Sequence, residues 1–332
     1  MKPQSLLAAL CLVPVLSFAA APSGIVIHGG AGTINKAQLT DAQRQAYEAT
    51  LKHAAEQGYA VLQQGGSSLD AVTRAVMILE DSPLFNAGKG AVYTYDESHE
   101  LDASIMQGQD RQAGAVAGVS TIKNPILLAR AVMEQSEHVM LAGAGAEAFA
   151  DTLQLERVPN SYYNTEFRYE ALKRAKQALQ PQPHQAAIPF DPAWRMGTVG
   201  AVAIDKAGNL AAATSTGGMT AKRYGRIGDA PVIGAGNFAD NQSCAVSATG
   251  HGEYFIRYQV ASDICARVKY QGKTATAAAT EVMAELATVG GTGGVIVVDP
   301  QGRLSWAFNT EGMYRAMLGD TTPLKVEIFQ AE

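Results

Sequence analysis

Gly24–His28 is a short apolar run that ends in Gly29, Gly30 and Gly32, the pattern of a buried strand closed by a turn. Asp41–Gln64 carries Tyr47, Leu51, Ala54, Ala55 and Leu62 near helical spacing, with Gly65 and Gly66 as the stop, and predicts a helix. A second helix is predicted from a Ser68 cap through Leu79, with Leu69, Val72, Val76 and Leu79 as its apolar stripe. Strand-like pieces follow at Ala91–Tyr95, Leu101–Met106 and Gly114–Thr121, and Asn124-Pro125 opens a helix through about Gln135. Thr198–Asp205 and Leu210–Thr216 flank a Lys206–Asn209 turn as a hairpin, and Val295–Asp299 with Arg303–Phe308 reads the same way. Helices at Glu253–Arg267 and Thr274–Leu286 lie between the hairpins. Hairpins with packed helices predict an α+β layered fold rather than a strict βαβ repeat.

One stretch breaks the pattern. Residues 157–197 hold Pro159, Pro181, Pro183, Pro189 and Pro192 around the basic segment Phe167–Leu179, and read as an exposed linker. With 332 residues the chain has a prior of about two domains, and the linker is the natural boundary. Composition then narrows the class. Charged residues are only 17% and hydrophobic ones 47%, which excludes a disordered chain. A formal charge of −5 argues against a nucleic-acid partner, which needs a basic face. The 33 glycines follow no triplet period, so they mark turns and close backbone approaches.

The N-terminus reads as a secretory signal. Lys2 precedes the apolar stretch Leu6–Phe18, and Ser17-Phe18-Ala19 satisfies the small-x-small cleavage rule, with a cut as late as Ala21 as the alternative. Export to a periplasm is the expectation. No other apolar run reaches the roughly 20 residues that span a bilayer, so no membrane association is expected of the mature protein. Two cysteines remain, Cys244 and Cys265. Export leaves their oxidation open, but two thiols in a large core make no scaffold and read as buried free cysteines.

Tested letter by letter, the usual catalytic signatures fail. There is no G-x-S-x-G elbow, no H-E-x-x-H and no complete P-loop, and His28, His53, His99, His138, His184 and His251 lack metal-ligand spacing. What stands out after the linker is a density of threonine and glycine: Gly197–Gly200, Thr214–Gly218, Gly225–Asp229 and Ala248–Gly252. Together they offer a hydroxyl nucleophile, further hydroxyls, a cation, an anion and exposed backbone N–H groups.

These runs, with His28–Gly32, Phe85–Gly90, Leu101–Ile105, Ser136–Met140 and Phe308–Tyr314 in order, resemble the plant-type asparaginase and isoaspartyl peptidase family of N-terminal-nucleophile hydrolases. The resemblance covers nearly all of the chain apart from the signal and linker. It implies a four-layer αββα sandwich and a precursor that cuts itself between Gly197 and Thr198. The products would be an α subunit, residues 20–197, and a β subunit, residues 198–332, sharing one domain. A threonine hydroxyl needs a base, and the cut supplies an amine of reference pKa ~7.7–8.0 on the same residue. By motif, Thr198 is the nucleophile, Thr216 tunes it, and Thr249 with the Gly250 N–H forms the oxyanion hole. Arg226 would hold the substrate α-carboxylate, Asp229 the α-ammonium with Gly252 nearby, and Asn86 would approach Thr198 from the α subunit. No cofactor is implied for catalysis. A structural Na+ is implied at a loop whose carbonyls come from Leu79, Glu80, Ser82, Phe85, Ala87 and Lys89. A dipeptide or small-molecule substrate and a dimer of αβ units complete the expectation.

Two rivals remain open from sequence. Glycosylasparaginase, of the same superfamily, tends to have Asp before its nucleophile, where Gly197 stands here. A non-catalytic periplasmic binding protein would hold an amino acid through Arg226 and Asp229 and stay one intact chain.

Overall fold

Alternation of small and branched apolar residues decides the architecture. In the computed structural model, which describes residues 21–32, 34, 39–179 and 197–330, the strands are β1 (Gly24–Gly32), β2 (Leu101–Gln107), β3 (Ala113–Val119), β4 (Met140–Ala142), β5 (Val199–Ile204), β6 (Leu210–Thr216), β7 (Asn237–Asp240), β8 (Cys244–Gly250), β9 (Gly293–Val298), β10 (Leu304–Phe308), β11 (Gly312–Gly319) and β12 (Thr322–Phe329). The α-helices are α1 (Asp41–Gln63), α2 (Ser68–Glu80), α3 (Pro125–Gln135), α4 (Gly143–Ala150), α5 (Glu166–Ala178), α6 (Gly252–Tyr258), α7 (Val260–Gln271) and α8 (Ala275–Thr288). An eight-stranded sheet runs β12-β11-β1-β5-β6-β2-β3-β4, and a four-stranded sheet runs β10-β9-β8-β7. Every pairing is antiparallel except β3 with β4.

The period-two pattern sends each strand's residues to two different cores. On β5, Val199, Ala201 and Ala203 join a cluster with Leu51, Val72 and Ile126 of α1, α2 and α3. Val202 and Ile204 of the same strand meet Ala245, Ile296 and Val298 of the small sheet. The outer face of the small sheet is covered by α7 and α8 through Ile264, Ala278, Val282 and Leu286. Helices, sheet, sheet and helices therefore stack in layers, and the protein is α+β as the pattern predicts. Both faces of the central strands are buried, which is why they read as continuous apolar runs. Segments before and after Gly197 interleave within the large sheet, since β1 pairs with β5 and β2 with β6. The two-domain prior does not describe this molecule.

The hairpins, α1, α3 and α8 lie where the periodicity puts them, within a residue or two at the ends. Four local expectations are corrected. Ala91–Tyr95 is no strand: it follows a 3-10 turn at Gly88–Gly90, makes one isolated bridge at Thr94–Lys222, and turns back on itself through Thr94 N to Ser98 O. Its Val92 N–H is taken by the Asn86 side chain instead of a ladder partner. The cap of α2 is Ser67, whose Oγ accepts from Asp70 N, while Ser68 is buried in the first turn and donates its N–H to Asp205. The helix expected over Glu253–Arg267 breaks at Gln259, whose φ of 48° separates α6 from α7. Cys244 and Cys265 are not free thiols. They form a disulfide that ties β8 to α7, with Cα atoms 5.4 Å apart.

The linker is also shorter than its prolines suggest. Tyr163, Leu172 and Ala175 are buried, and Arg168 donates from Nε to Gly90 O at 2.9 Å. Composition missed this because a few aromatic and aliphatic contacts outweigh the charges on the other face of α5. The rest of the linker, residues 180–196, and the signal sequence with its cleavage site lie outside the described residues. Among the described residues no helix is long and apolar enough to cross a membrane.

Candidate active site

The antiparallel pairing of β5 with β6 sets Val199 opposite Ser215 and carries Thr198 alongside Thr216. Thr198 Oγ1 donates to Thr216 Oγ1 at 3.0 Å, and the same oxygen accepts from Gly218 N at 3.0 Å. Thr198 is buried, yet both threonines line a pocket with Gly218, Arg226, Asp229 and Gly250–Glu253.

Gly197, just before the nucleophile candidate, has φ +120°, a conformation side chains resist, and a Cβ there would sit 2.5 Å from Asn86 Cβ. Its carbonyl accepts from Asn86 N at 2.9 Å. The Asn86 side chain does not reach the pocket. Its Nδ2 donates to Gly218 O at 2.7 Å and its Oδ1 accepts from Val92 N at 2.9 Å, so it ties the turn after Thr216 to the Val92 segment while its own N–H holds Gly197 O.

Thr249 is the next-to-last residue of β8, in the opposite sheet. Its hydroxyl is buried without a hydrogen-bond partner among the described residues, and Gly250 next to it lines the pocket. An orphan buried donor costs about 1–3 kcal/mol and points to a ligand atom that completes it. Asp229 Oδ2 is a second orphan, an acceptor. Burial pushes the Asp229 carboxyl up to about 7 against the downward pull of the Arg226 charge. Gly252 lies between these two side chains: a Cβ on it would stand 2.9 Å from both Arg226 Nη2 and Asp229 Oδ1. A cation, an anion and a hydroxyl pair thus face one cavity, and the unpaired Thr249 hydroxyl belongs to the residue just before its lining Gly250. That set can bind a zwitterion and attack a carbonyl.

Two residues escaped the sequence reading. Glu253 grips Arg226, with Oε1 2.9 Å from Nε and Oε2 3.0 Å from Nη2. It directly follows the Ala248–Gly252 run, but its direction was not readable before the α6 turn was placed. His28 opens the first motif and was given no role. It is fully buried, with Nδ1 3.0 Å from Thr198 O and Nε2 3.0 Å from Ser247 Oγ. A carbonyl only accepts, so Nδ1 carries the proton and Nε2 accepts from Ser247. Burial pushes His28 down to about 3, and its neutral form anchors the nucleophile's backbone. His251 lines the pocket, has its ring tilted 59° to that of Tyr254 at 4.6 Å, and has Nε2 3.4 Å from Glu253 Oε2.

In the loop Leu79–Lys89, carbonyls crowd two glycines. A Cβ on Gly88 would sit 2.3 Å from Glu80 O, and one on Gly90 2.1 Å from Phe85 O. The Phe85 and Ala87 carbonyls each accept one N–H, from Ala87 and Gly90, and Leu79 O accepts from Asp81 and Ser82. Backbone carbonyl oxygens are the donor type a hard cation takes. Among the described residues no group of three or more His, Cys, Asp or Glu side chains is placed to hold a metal.

A family model described as asparaginase matches residues 21–328. The chain is 52% identical over 300 residues to the isoaspartyl peptidase of Escherichia coli strain K12, covering 90% of this chain and 94% of that one. Against the isoaspartyl peptidase/L-asparaginase of Homo sapiens the identity is 43% over 281 residues, covering 84% and 87%. Against that of Danio rerio it is 41% over 298 residues, covering 87% and 92%.

Proposed function

The chain belongs to the asparaginase family, and from that premise we propose that it is a threonine amidohydrolase that cuts itself before Thr198 and hydrolyses β-aspartyl dipeptides and L-asparagine. The family members are hydrolases that need no catalytic cofactor. The observation that carries the reading is the Thr198–Thr216 hydroxyl pair, 3.0 Å apart, at the wall of a pocket that also holds Arg226 and Asp229. A binding protein needs the last two but has no use for the first.

In the intact chain Thr198 nitrogen is an amide and cannot serve as a base. Attack of Thr198 Oγ on the Gly197 carbonyl, followed by hydrolysis of the resulting ester, frees that nitrogen as an amine. The amine then takes the Oγ proton as the hydroxyl attacks the side-chain carbonyl of the substrate. Thr216 Oγ1 fixes the direction of the hydroxyl. The Thr249 hydroxyl and the Gly250 N–H receive the developing oxyanion, and the orphan state of Thr249 costs no reorganisation at that moment. The Thr198 amine passes that proton to the leaving amine, which departs, and then, neutral again, deprotonates the water that hydrolyses the ester, releasing aspartate and restoring the hydroxyl. Throughout, Arg226 holds the α-carboxylate and ionised Asp229 the α-ammonium. Both substrates share this aspartyl half.

Three further parts belong to the proposal. The two chains formed at Gly197 stay together because β1 pairs with β5 and β2 with β6. A Na+ at the Leu79–Lys89 carbonyls stiffens the loop that carries Asn86. Export to a periplasm and a dimer of αβ units complete it, and the Cys244–Cys265 disulfide favours an oxidising compartment. A denaturing gel of purified protein tests the core claim together with release of aspartate from asparagine and from a β-aspartyl dipeptide. One intact, active chain would refute it.

A further inference from the structure

We propose that Glu253 is a positioning residue for substrate binding, holding the Arg226 guanidinium by one edge so that its other edge faces the pocket. The inference rests on the reading of Arg226 as the α-carboxylate site. Glu253 occupies the side edge of the guanidinium, at 2.9 Å from Nε and 3.0 Å from Nη2. The end edge, Nη1 with Nη2, lies against two pocket-lining glycines. A Cβ on Gly228 would stand 2.8 Å from Nη1, and one on Gly252 2.9 Å from Nη2. Among the described residues no acceptor is bonded to Nη1. A carboxylate can therefore dock on the end edge while Glu253 keeps the side edge, each with two parallel bonds.

The geometry separates this from competition. A competitor would sit on the edge the substrate needs, and its removal would tighten binding. Glu253 sits on the other, so its removal frees a long side chain in a 19% exposed position and loosens binding. The Glu253 carboxyl is half-buried. Burial alone would raise it, but the Arg226 hydrogen bond and charge hold it below the ordinary glutamate range, so it is ionised wherever the enzyme works. The groups that face it are Arg226, His251 and Asp229. Its charge also adds to the upward push on Asp229.

The test is steady-state kinetics of Glu253→Gln on L-asparagine and a β-aspartyl dipeptide across pH, after self-cleavage and unchanged thermal melting are verified. The expected result is a KM raised about tenfold or more for both substrates, the scale a misplaced binding group produces, with kcat within about threefold. The acid limb of kcat/KM should also move to lower pH, a shift that a merely structural role would not cause. An unchanged or lowered KM overturns the proposal, as does a loss confined to kcat. Glu253→Asp keeps the charge but withdraws it by one methylene. It should raise KM without moving the acid limb, and it carries the test if the Gln variant fails to fold. Wild-type protein inactive on both substrates would instead defeat the functional reading, so the two failures are distinguishable.

Discussion

Asp229 has to be ionised to hold an ammonium group, yet burial raises its pKa to about 7. In free enzyme at about pH 5.5, only about 3% of Asp229 carries charge, so kcat/KM from this group alone falls about 30-fold below its plateau. The Thr198 amine that the proposed cut would free, with a reference pKa of ~7.7–8.0, must be neutral and would titrate over the same range. The two losses multiply, and the acid limb of log kcat/KM should approach a slope of two. At saturating substrate the bound ammonium keeps Asp229 charged, so the limb of kcat should have a slope of one. Asp229→Asn removes one proton from the scheme. Its kcat/KM should lie about 10- to 100-fold below wild type near pH 8, the cost of losing a charged hydrogen bond, with an acid slope of one. The linkage has the opposite sign for folding. A carboxyl whose pKa is raised in the folded state contributes stability at low pH that is lost as pH climbs from the unfolded value of 3.8 through about 7. The Asn variant should therefore melt higher than wild type near pH 8 even as it binds worse. Initial rates of aspartate release from about pH 5 to 9, with melting curves on the same samples, check all of this. A wild-type acid slope of one, or a slope of two retained by Asp229→Asn, would refute the assignment.

Thr198→Ala should leave a single uncut chain on a denaturing gel and abolish hydrolysis of both substrates. Thr249→Val should lower kcat by roughly 100- to 1000-fold with little change in KM, because the hydroxyl has no partner until an oxyanion forms. A Thr249 variant with wild-type kcat would remove that residue from the oxyanion hole. The Cys244–Cys265 disulfide closes a sequence separation of 21 residues, worth about 3 kcal/mol by loop-closure entropy. Reduction or Cys265→Ser should lower Tm by roughly 4–6 °C. Thiol titration of the denatured, unreduced protein should find neither cysteine free.

Why the disulfide escaped prediction is a matter of distance. Nothing in a spacing of 21 residues says that α7 packs on β8 with Cα atoms 5.4 Å apart. Local signals did better where structure is local. The Lys206–Asn209 turn between apolar runs predicted β5 and β6, and Asn124-Pro125 predicted α3. The Gln259 break was invisible because its left-handed φ is imposed by packing, in a residue with no turn preference of its own. The Ala91–Tyr95 strand was a false reading because Asn86 takes a backbone N–H that a ladder would have used.

By itself the sequence determined the layered α+β class, through alternation and hairpin turns, and the residue types of the site, through the threonine- and glycine-rich runs whose order matches one family. Tertiary structure decided how those types face one another. Thr198 and Thr249 come from different sheets, and Asn86 proved to be a brace. His28 proved to be an anchor, and Glu253 took one edge of Arg226. The division has a physical reason. Local backbone preference and hydrophobic period act over a few residues, whereas a catalytic site is an arrangement of side chains that only the packing of distant segments fixes.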